Sequence, residues 1–361
     1  MKETALVLWH YIYARYGLRF KTRVALEYYQ QKRLQYFLKT VLSKSPYYKL
    51  YQGKPLASYP LMNKTKMMAN FDELNTRHLK LNQAMNVALK AEQTRDFSET
   101  IGDITVGLSS GTSGTRGIFA VSRKEQLKWA GTILAKILPD SLLQKHKIVF
   151  FLRADNKLYQ AAEQHGRVSI HFFDLTLPFE EHLSALQYMN PTQIVAPATT
   201  LRLLAEAKQE NKIEINPKRI TSVAEVLDPL DKAIIESSFK QPVDQIYQCT
   251  EGFLAYTCKQ KRIHINEEFL YIEKEWVDKE TKRFIPIITD FSRTTQPIVR
   301  YRLDDILVLD EHPCKCGSPT TVISRIEGRM DDVLYGKKNN GEFVPLFPDH
   351  LRHLVINTTE T

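Results

Sequence analysis

The stretch Leu108-Ser109-Ser110-Gly111-Thr112-Ser113-Gly114-Thr115-Arg116-Gly117 decides how this chain reads. Apart from Leu108 and one guanidinium it is all serine, threonine and glycine, and an apolar run suited to a strand, Ile118 to Val121, follows directly. Such a loop exposes backbone N–H groups without steric cover, adds hydroxyl donors and carries one permanent positive charge, which together meet the needs of a bound polyphosphate. A flexible Gly/Ser linker shares the composition. No Gly-Lys-Ser/Thr closes the loop, so it does not follow the P-loop NTPase pattern.

Its flanks speak for order. Ser122-Arg-Lys-Glu125 has the spacing of a capping box, and Leu127, Ala130 and Leu134 recur at helical intervals behind it. The first ninety-odd residues read as helices and loops, with a break at Ser58-Tyr59-Pro60. From Lys147 onward strands and helices alternate. Ile148 to Leu152, Val168 to Phe173, Gln193 to Ala196, Ile220 to Val223 and Gln245 to Tyr247 read as strands. Asn156 to Gln164, Phe179 to Met189, Thr200 to Ala207 and Pro229 to Phe239 read as the helices between them. That order predicts an α/β fold whose mostly parallel sheet carries helices on both faces. Ligands on such sheets sit beyond the carboxyl ends of the strands, where Tyr247-Gln248-Cys249-Thr250-Glu251 lies. After Glu251 the pattern turns to short β-like runs such as Phe269 to Ile272 and Phe284 to Thr289.

The 361 residues suffice for about two domains. With 43% hydrophobic and 25% charged residues, the composition is that of a globular protein. The net charge of +9 is spread along the chain and suits anionic ligands such as nucleotides. No RNA-binding or helix-turn-helix signature supports a nucleic-acid partner. No apolar run approaches the ~20 residues of a membrane span, and the aromatic and basic segment from Leu6 to Tyr36 reads as helix packed on its own domain. Without a signal-peptide core the chain reads as cytoplasmic, so its 4 cysteines are expected reduced or metal-bound rather than paired.

Four segments occur in a telling order: the Ser/Gly/Thr loop, Tyr247 to Glu251, Pro297-Ile-Val-Arg-Tyr-Arg-Leu-Asp-Asp305, and Ile326-Glu-Gly-Arg-Met-Asp331-Asp332. Together they resemble the adenylate-forming superfamily of acyl-CoA synthetases, luciferases and peptide-synthetase adenylation domains. The likeness is strongest to the phenylacetate-CoA ligase branch, among proteins related to coenzyme F synthetase and CapK. Pro60-Leu-Met-Asn-Lys64, Ala224-Glu225 and Thr289-Asp290-Phe-Ser-Arg293 look like that branch too, and the likeness spans roughly residues 30 to 350.

The resemblance implies the large N-terminal domain of adenylate-forming enzymes. It would comprise a helical part over 1–95, a nucleotide-binding core over 96–250, a β-rich subdomain over 251–329, and a hinge with the start of a small, largely absent C-terminal domain over 330–361. It implies ATP-dependent adenylation of a small-molecule carboxylic acid, an aromatic acid being one candidate, with CoA or another thiol or amine as acceptor. Adenylation of a hydroxyl and nucleotide binding without turnover are the alternatives, and a homodimer is left open. Ser109, Ser110, Gly111, Thr112, Ser113, Gly114, Thr115 and Arg116 would hold the phosphates. Ala224 and Glu225 would lie along adenine and Tyr247 would stack on it. Thr250 would reach the α-phosphate, Glu251 would ligate Mg²⁺, Asp305 would bind the ribose hydroxyls and Arg329 would support ribose or phosphate. Asp331 would be the hinge. The family's C-terminal lysine has no counterpart before Thr361, since Lys337-Lys-Asn-Asn-Gly341 reads as a hairpin turn and Pro348-Asp349 as a helix start. A chain so shortened would bind nucleotide better than it turns over.

Cys314-Lys-Cys316 follows Pro313, with Cys258 and His264 upstream. Three thiolates and an imidazole form a common structural zinc set, and relatives in the same branch carry cysteines and a histidine at similar places. Buried reduced cysteines beside an unrelated histidine are the alternative.

Overall fold

The computed structural model describes residues 2–109, 116–152, 167–337 and 343–347. Its centre is a parallel sheet. Strands β3 (His146–Leu152), β4 (Val168–Asp174), β5 (Gln193–Ala196), β6 (Arg219–Ser222) and β7 (Val243–Cys249) pair in the order β4-β3-β5-β6-β7. Ile148, Val149, Phe150 and Phe151 are all buried, which is why β3 reads as a continuous apolar run: helices cover both faces of the sheet. Each such side chain contributes ~1.5–3 kcal/mol of burial.

The connecting helices are α5 (Phe179–Met189), α6 (Ala198–Gln209) and α7 (Pro229–Phe239), each within two residues of its expected bounds at both ends. The helix expected at 156–164 lies outside the described residues.

At β7 the sheet changes direction. β8 (Gly252–Thr257) folds back antiparallel with Cys249 opposite Gly252, so Thr250 and Glu251 form the tip of a tight hairpin. The antiparallel part continues through β9 (Ile263–Ile265) to β14 (Val322–Arg329), β13 (Asp305–Asp310), β11 (Arg283–Asp290) and β10 (Leu270–Asp278), with β12 (Ile298–Arg302) also pairing with β11. The β-rich half expected after Glu251 is therefore present and continuous with the parallel half. Leu334–Lys337 pairs antiparallel with Phe343–Leu346, the arms of the expected hairpin, while its turn and the expected start at Pro348 lie outside the described residues.

The Ser/Gly/Thr loop springs from a separate two-stranded sheet, β1 (Ile104–Leu108) with β2 (Ile118–Ser122). Its base is closed by hydrogen bonds from Ser109 N to Gly117 O and from Gly117 N to Ser109 Oγ, both 2.8 Å. Residues 110–115 lie outside the described residues. Helix α4 (Arg123–Ile137) follows, and Ser122 and Glu125 form the capping box expected from their spacing. The N-terminal helix α1 (Lys2–Ile12) lies against α4 at Gly131, where a Cβ would come within 2.4 Å of the Val7 carbonyl oxygen. Only glycine permits that approach. Arg15 Nη1 donates to the carbonyls of Ala135 and Leu138, both at 3.0 Å, satisfying acceptors left open at the end of α4.

Candidate active site

A cavity of about 610 Å³ opens beyond the carboxyl ends of β3, β6 and β7. Ser109, Ala224, Glu225, Tyr247, Thr250, Glu251, Asp305 and Arg329 all line it. These residues come from five separate parts of the chain.

At the tip of the β7–β8 hairpin the Thr250 hydroxyl donates to Glu251 Oε2 at 2.9 Å, and Arg293 Nη1 donates to the Thr250 carbonyl at 2.7 Å. Tyr247 donates its hydroxyl to Asp305 Oδ2 at 2.5 Å. Burial, then the Asp305 charge, holds the Tyr247 phenol well above its ordinary range, so it remains a donor. Burial likewise raises Asp305 despite that hydrogen bond. Tyr301 is raised by burial first and by Glu251 beside it second. Arg300 and Arg302 pair with Glu273 and Glu275, leaving Asp305 to Tyr247 and the cavity.

Ala224 sits just past β6 with φ at +66°, a left-handed conformation that costs a non-glycine residue about 1 kcal/mol or more. The Glu225 carboxylate accepts from Thr199 N at 2.9 Å and from the Thr199 hydroxyl, capping the start of α6. Arg116 is off the cavity wall: its guanidinium grips Glu92 of helix α3 (Leu81–Thr94) at 2.6 and 2.5 Å. Asp331 is exposed in the turn Met330–Asp332 and is also absent from the wall.

The structure adds residues that spacing alone does not single out. Lys64 lines the cavity with its stem against Gly117, where a Cβ would lie 3.3 Å from Lys64 Cγ. Glu125, Lys128, Trp129 and Thr132 form one stripe of α4 along the wall, at helical spacing that could have been read as a face. Gly252 lets Asp290 approach the hairpin closely: a Cβ there would stand 2.8 Å from Asp290 Oδ2, so one of the two would have to shift.

Glu125 does more than cap a helix. Its Oε1 accepts from the backbone of Thr294 at 2.5 Å and Thr295 at 3.0 Å, and its Oε2 from Ser122 N and the hydroxyls of Ser122 and Thr295. Burial pushes this carboxyl up, but Arg293 and those donors outweigh it and leave it below its ordinary 4.5. A depressed folded value means that the charged form stabilises the protein above the ordinary carboxylate range, and that this stability fades as pH falls through the folded value. Glu125→Gln should therefore cost about 2 kcal/mol at pH 7, with the gap to wild type closing towards pH 3 in urea unfolding. A gap independent of pH would contradict this account.

Away from the cavity, the ligand atoms of Cys258, His264, Cys314 and Cys316 all lie within 4.8 Å of one another. Cys258 Sγ and Cys314 Sγ are 3.7 Å apart, and Cys316 Sγ is 3.5 Å from His264 Nε2. The backbone N–H groups of Gln260, Cys316 and Ser318 donate to the three sulfurs, and His264 Nδ1 is held by the Thr320 hydroxyl at 2.8 Å. Cys249 stands apart on the cavity wall.

This arrangement, a parallel sheet turning antiparallel at β7 with a cavity beyond its strand ends, is a fold shared with a solved acid-CoA ligase. The structure of 2-hydroxyisobutyryl-CoA ligase, in an open conformation with 2-HIB-AMP and CoA, aligns with 88% of this chain and 72% of its own at a TM-score of 0.63 and 16% identity. By sequence, the chain is 28% identical to the indoleacetate–lysine synthetase of Pseudomonas savastanoi over 178 residues, 48% of this chain and 44% of the relative. It is 28% identical to protein CapK of Staphylococcus aureus over 161 residues, 44% of this chain and 35% of that protein. The matches thus span less than half the length of these curated relatives. No family model matches the chain.

Proposed function

We propose that this protein adenylates a carboxylic acid with ATP. The observation that carries the reading is the convergence of Ser109, Tyr247, Thr250, Glu251 and Asp305 on one cavity at the carboxyl end of β7. A carboxylate oxygen attacks the α-phosphorus, the bond to the bridging β-phosphate oxygen breaks, and pyrophosphate leaves with the electron pair. No protein group is covalently changed, so positioning and charge dispersal do the catalysis.

Tyr247 offers its ring to adenine while its hydroxyl holds Asp305, whose free carboxylate oxygen meets the ribose hydroxyls. Thr250 sits at the α-phosphate, and Ala224 and Arg329 border the nucleotide; Glu225 belongs to that border chiefly through its cap on α6. Glu251 provides the carboxylate oxygen that a hard cation prefers, and Mg²⁺ there would neutralise developing phosphate charge. Ser109 to Gly117 would cradle the outer phosphates, with Lys64 at the base of the loop. Arg116 reaches them by leaving Glu92; an exposed pair of this kind is worth ~0–1 kcal/mol, so the exchange is cheap. Residues 1–95, 96–250 and 251–329 would act as the helical, nucleotide-binding and β-rich parts of one catalytic body, with Asp331 as hinge. Transfer of the acyl group to CoA or to an amine fits the ligase and synthetase relatives.

We further assign the Cys258, His264, Cys314 and Cys316 cluster to structural Zn²⁺. Tetrahedral zinc with Zn–S bonds near 2.3 Å sets sulfurs roughly 3.8 Å apart, matching the observed 3.7 Å. The N–H donors stabilise thiolates, and Thr320 orients the imidazole as an outer-shell partner.

ATP–pyrophosphate exchange with a panel of carboxylic acids tests the adenylation reading. Acid-dependent exchange is expected. AMP binding without exchange from any acid would make the protein a nucleotide binder, and exchange with hydroxyl compounds alone would move the reaction to a different nucleophile.

A further inference from the structure

Two sets of charged groups line the cavity. Tyr247, Cys249, Glu251, Tyr301 and Asp305 act on one another. The ammonium of Lys128 feels instead the charges of Asp290 and Glu125, which favour it, and of Arg33 and Lys124, which oppose it. Lys128 is half-buried, and it lines the cavity beside Trp129 and Thr132 on the stripe of α4 already described.

Among the described residues, Lys128 Nζ makes no hydrogen bond and no ion pair within 4 Å, while the Lys128 carbonyl accepts from the Thr132 hydroxyl. Asp290, 3% exposed, spends Oδ1 on Ser292 N and Oγ. Its nearest approach to Lys128 is electrostatic rather than a contact. The half-buried ammonium faces the cavity, and a bound hydrocarbon that excluded water there would leave it without an acceptor at a cost of several kcal/mol, since α4 is held in place by Gly131 and the Glu125 network. Behind Lys128 a void of about 20 Å³ has room for a single water. That void is also lined by Glu268, whose Oε2 is buried without a partner among the described residues. On the cavity side a bound molecule can supply an acceptor, and the cavity lining includes the apolar side chains Phe119, Val121, Trp129, Phe253 and Phe269.

We infer that Lys128 selects acids that carry a second hydrogen-bond-accepting oxygen, a hydroxy-, oxo- or dicarboxylic acid with an apolar body, over plain hydrocarbon acids. This rests on the adenylation reading above. The carboxylate to be activated lies towards Thr250 and Glu251, and the second oxygen accepts from Lys128 Nζ at the α4 wall. Such a site rejects analogues lacking the oxygen, because their binding would bury the ammonium unpaired.

The test is calorimetric titration of wild type, Lys128→Met and Lys128→Arg with matched acids, each with and without AMP. Phenylacetate is set against 4-hydroxy- and 4-carboxyphenylacetate, and pentanoate against glutarate. In wild type at least one oxygen-bearing acid should bind tenfold or more tightly than its hydrocarbon partner. Lys128→Met should erase or invert that preference and Lys128→Arg should keep part of it, with folding followed by circular dichroism. Equal or tighter binding of every hydrocarbon acid, absence of acid binding, or a preference that survives in Lys128→Met overturns the inference. Should Lys128→Met not fold, the wild-type preference and Lys128→Arg still decide. Failure of AMP to bind wild type instead strikes the adenylation reading, so the two failures are separable.

Discussion

Replacing Glu251 by alanine is expected to lower acid-dependent ATP–pyrophosphate exchange by a factor of about 10²–10³, the loss typical of removing one well-placed electrostatic group from an active site. The backbone argues that this loss is chemical rather than structural. Glu251 sits at the tip of a hairpin whose flanking pair, Cys249 opposite Gly252, is unaffected by the side chain, and Arg293 holds the Thr250 carbonyl from the other side. What disappears is the carboxylate and the acceptor for the Thr250 hydroxyl. Glu251→Gln separates the two: it keeps an acceptor for Thr250 but not the charge that Mg²⁺ needs. Both variants should fail alike if the carboxylate binds the cation, and the magnesium dependence of nucleotide binding should vanish in both. Wild-type exchange in Glu251→Ala would refute the placement of the site.

The second large effect concerns the sulfur cluster. Purified protein should contain one zinc per chain, and Cys316→Ser should lose it at a cost of about 3 kcal/mol in unfolding free energy. The cost is large because the four ligands tie β8 and β9 to the segment between β13 and β14. Without metal, the cluster would leave mutually repelling thiolates or desolvated thiols against a buried imidazole. Burial already lowers His264 to about 4, which keeps its ring neutral and ready to donate a lone pair at neutral pH. Cys249→Ser is the control and should retain the zinc. Metal-free wild-type protein, measured by elemental analysis, would end the assignment.

Much of the fold was legible because its causes are local. The apolar run Ile148 to Leu152 suits a strand buried on both faces, and Ser122 with Glu125 starts α4 through bonds between neighbours. Pro229 at the start of α7, capped by Asp228, sets that helix within its own first turn. The four motifs likewise pointed to one place, since Ser109, Tyr247, Thr250, Glu251, Asp305 and Arg329, drawn from all four, line the same cavity. Arg116 shows the limit. Its position in the loop suggested a phosphate ligand, yet the structure hands its guanidinium to Glu92, 24 residues away on a helix.

The sequence by itself therefore determined the strands, the helices and the list of residues at the tip of β7, because hydrophobic period, capping and turn chemistry act over a few residues. The tertiary structure alone decided what those parts meet. Asp290 could not be tied to Gly252, nor Lys128 to Asp290, by any spacing; each pair depends on how β11 and α4 pack against the β7–β8 hairpin. Cys258 and Cys314 are 56 positions apart and close only because β9 pairs with β14, placing His264 opposite Val322. Register and packing between distant segments are collective outcomes of burying one continuous sheet, and no local stretch encodes them.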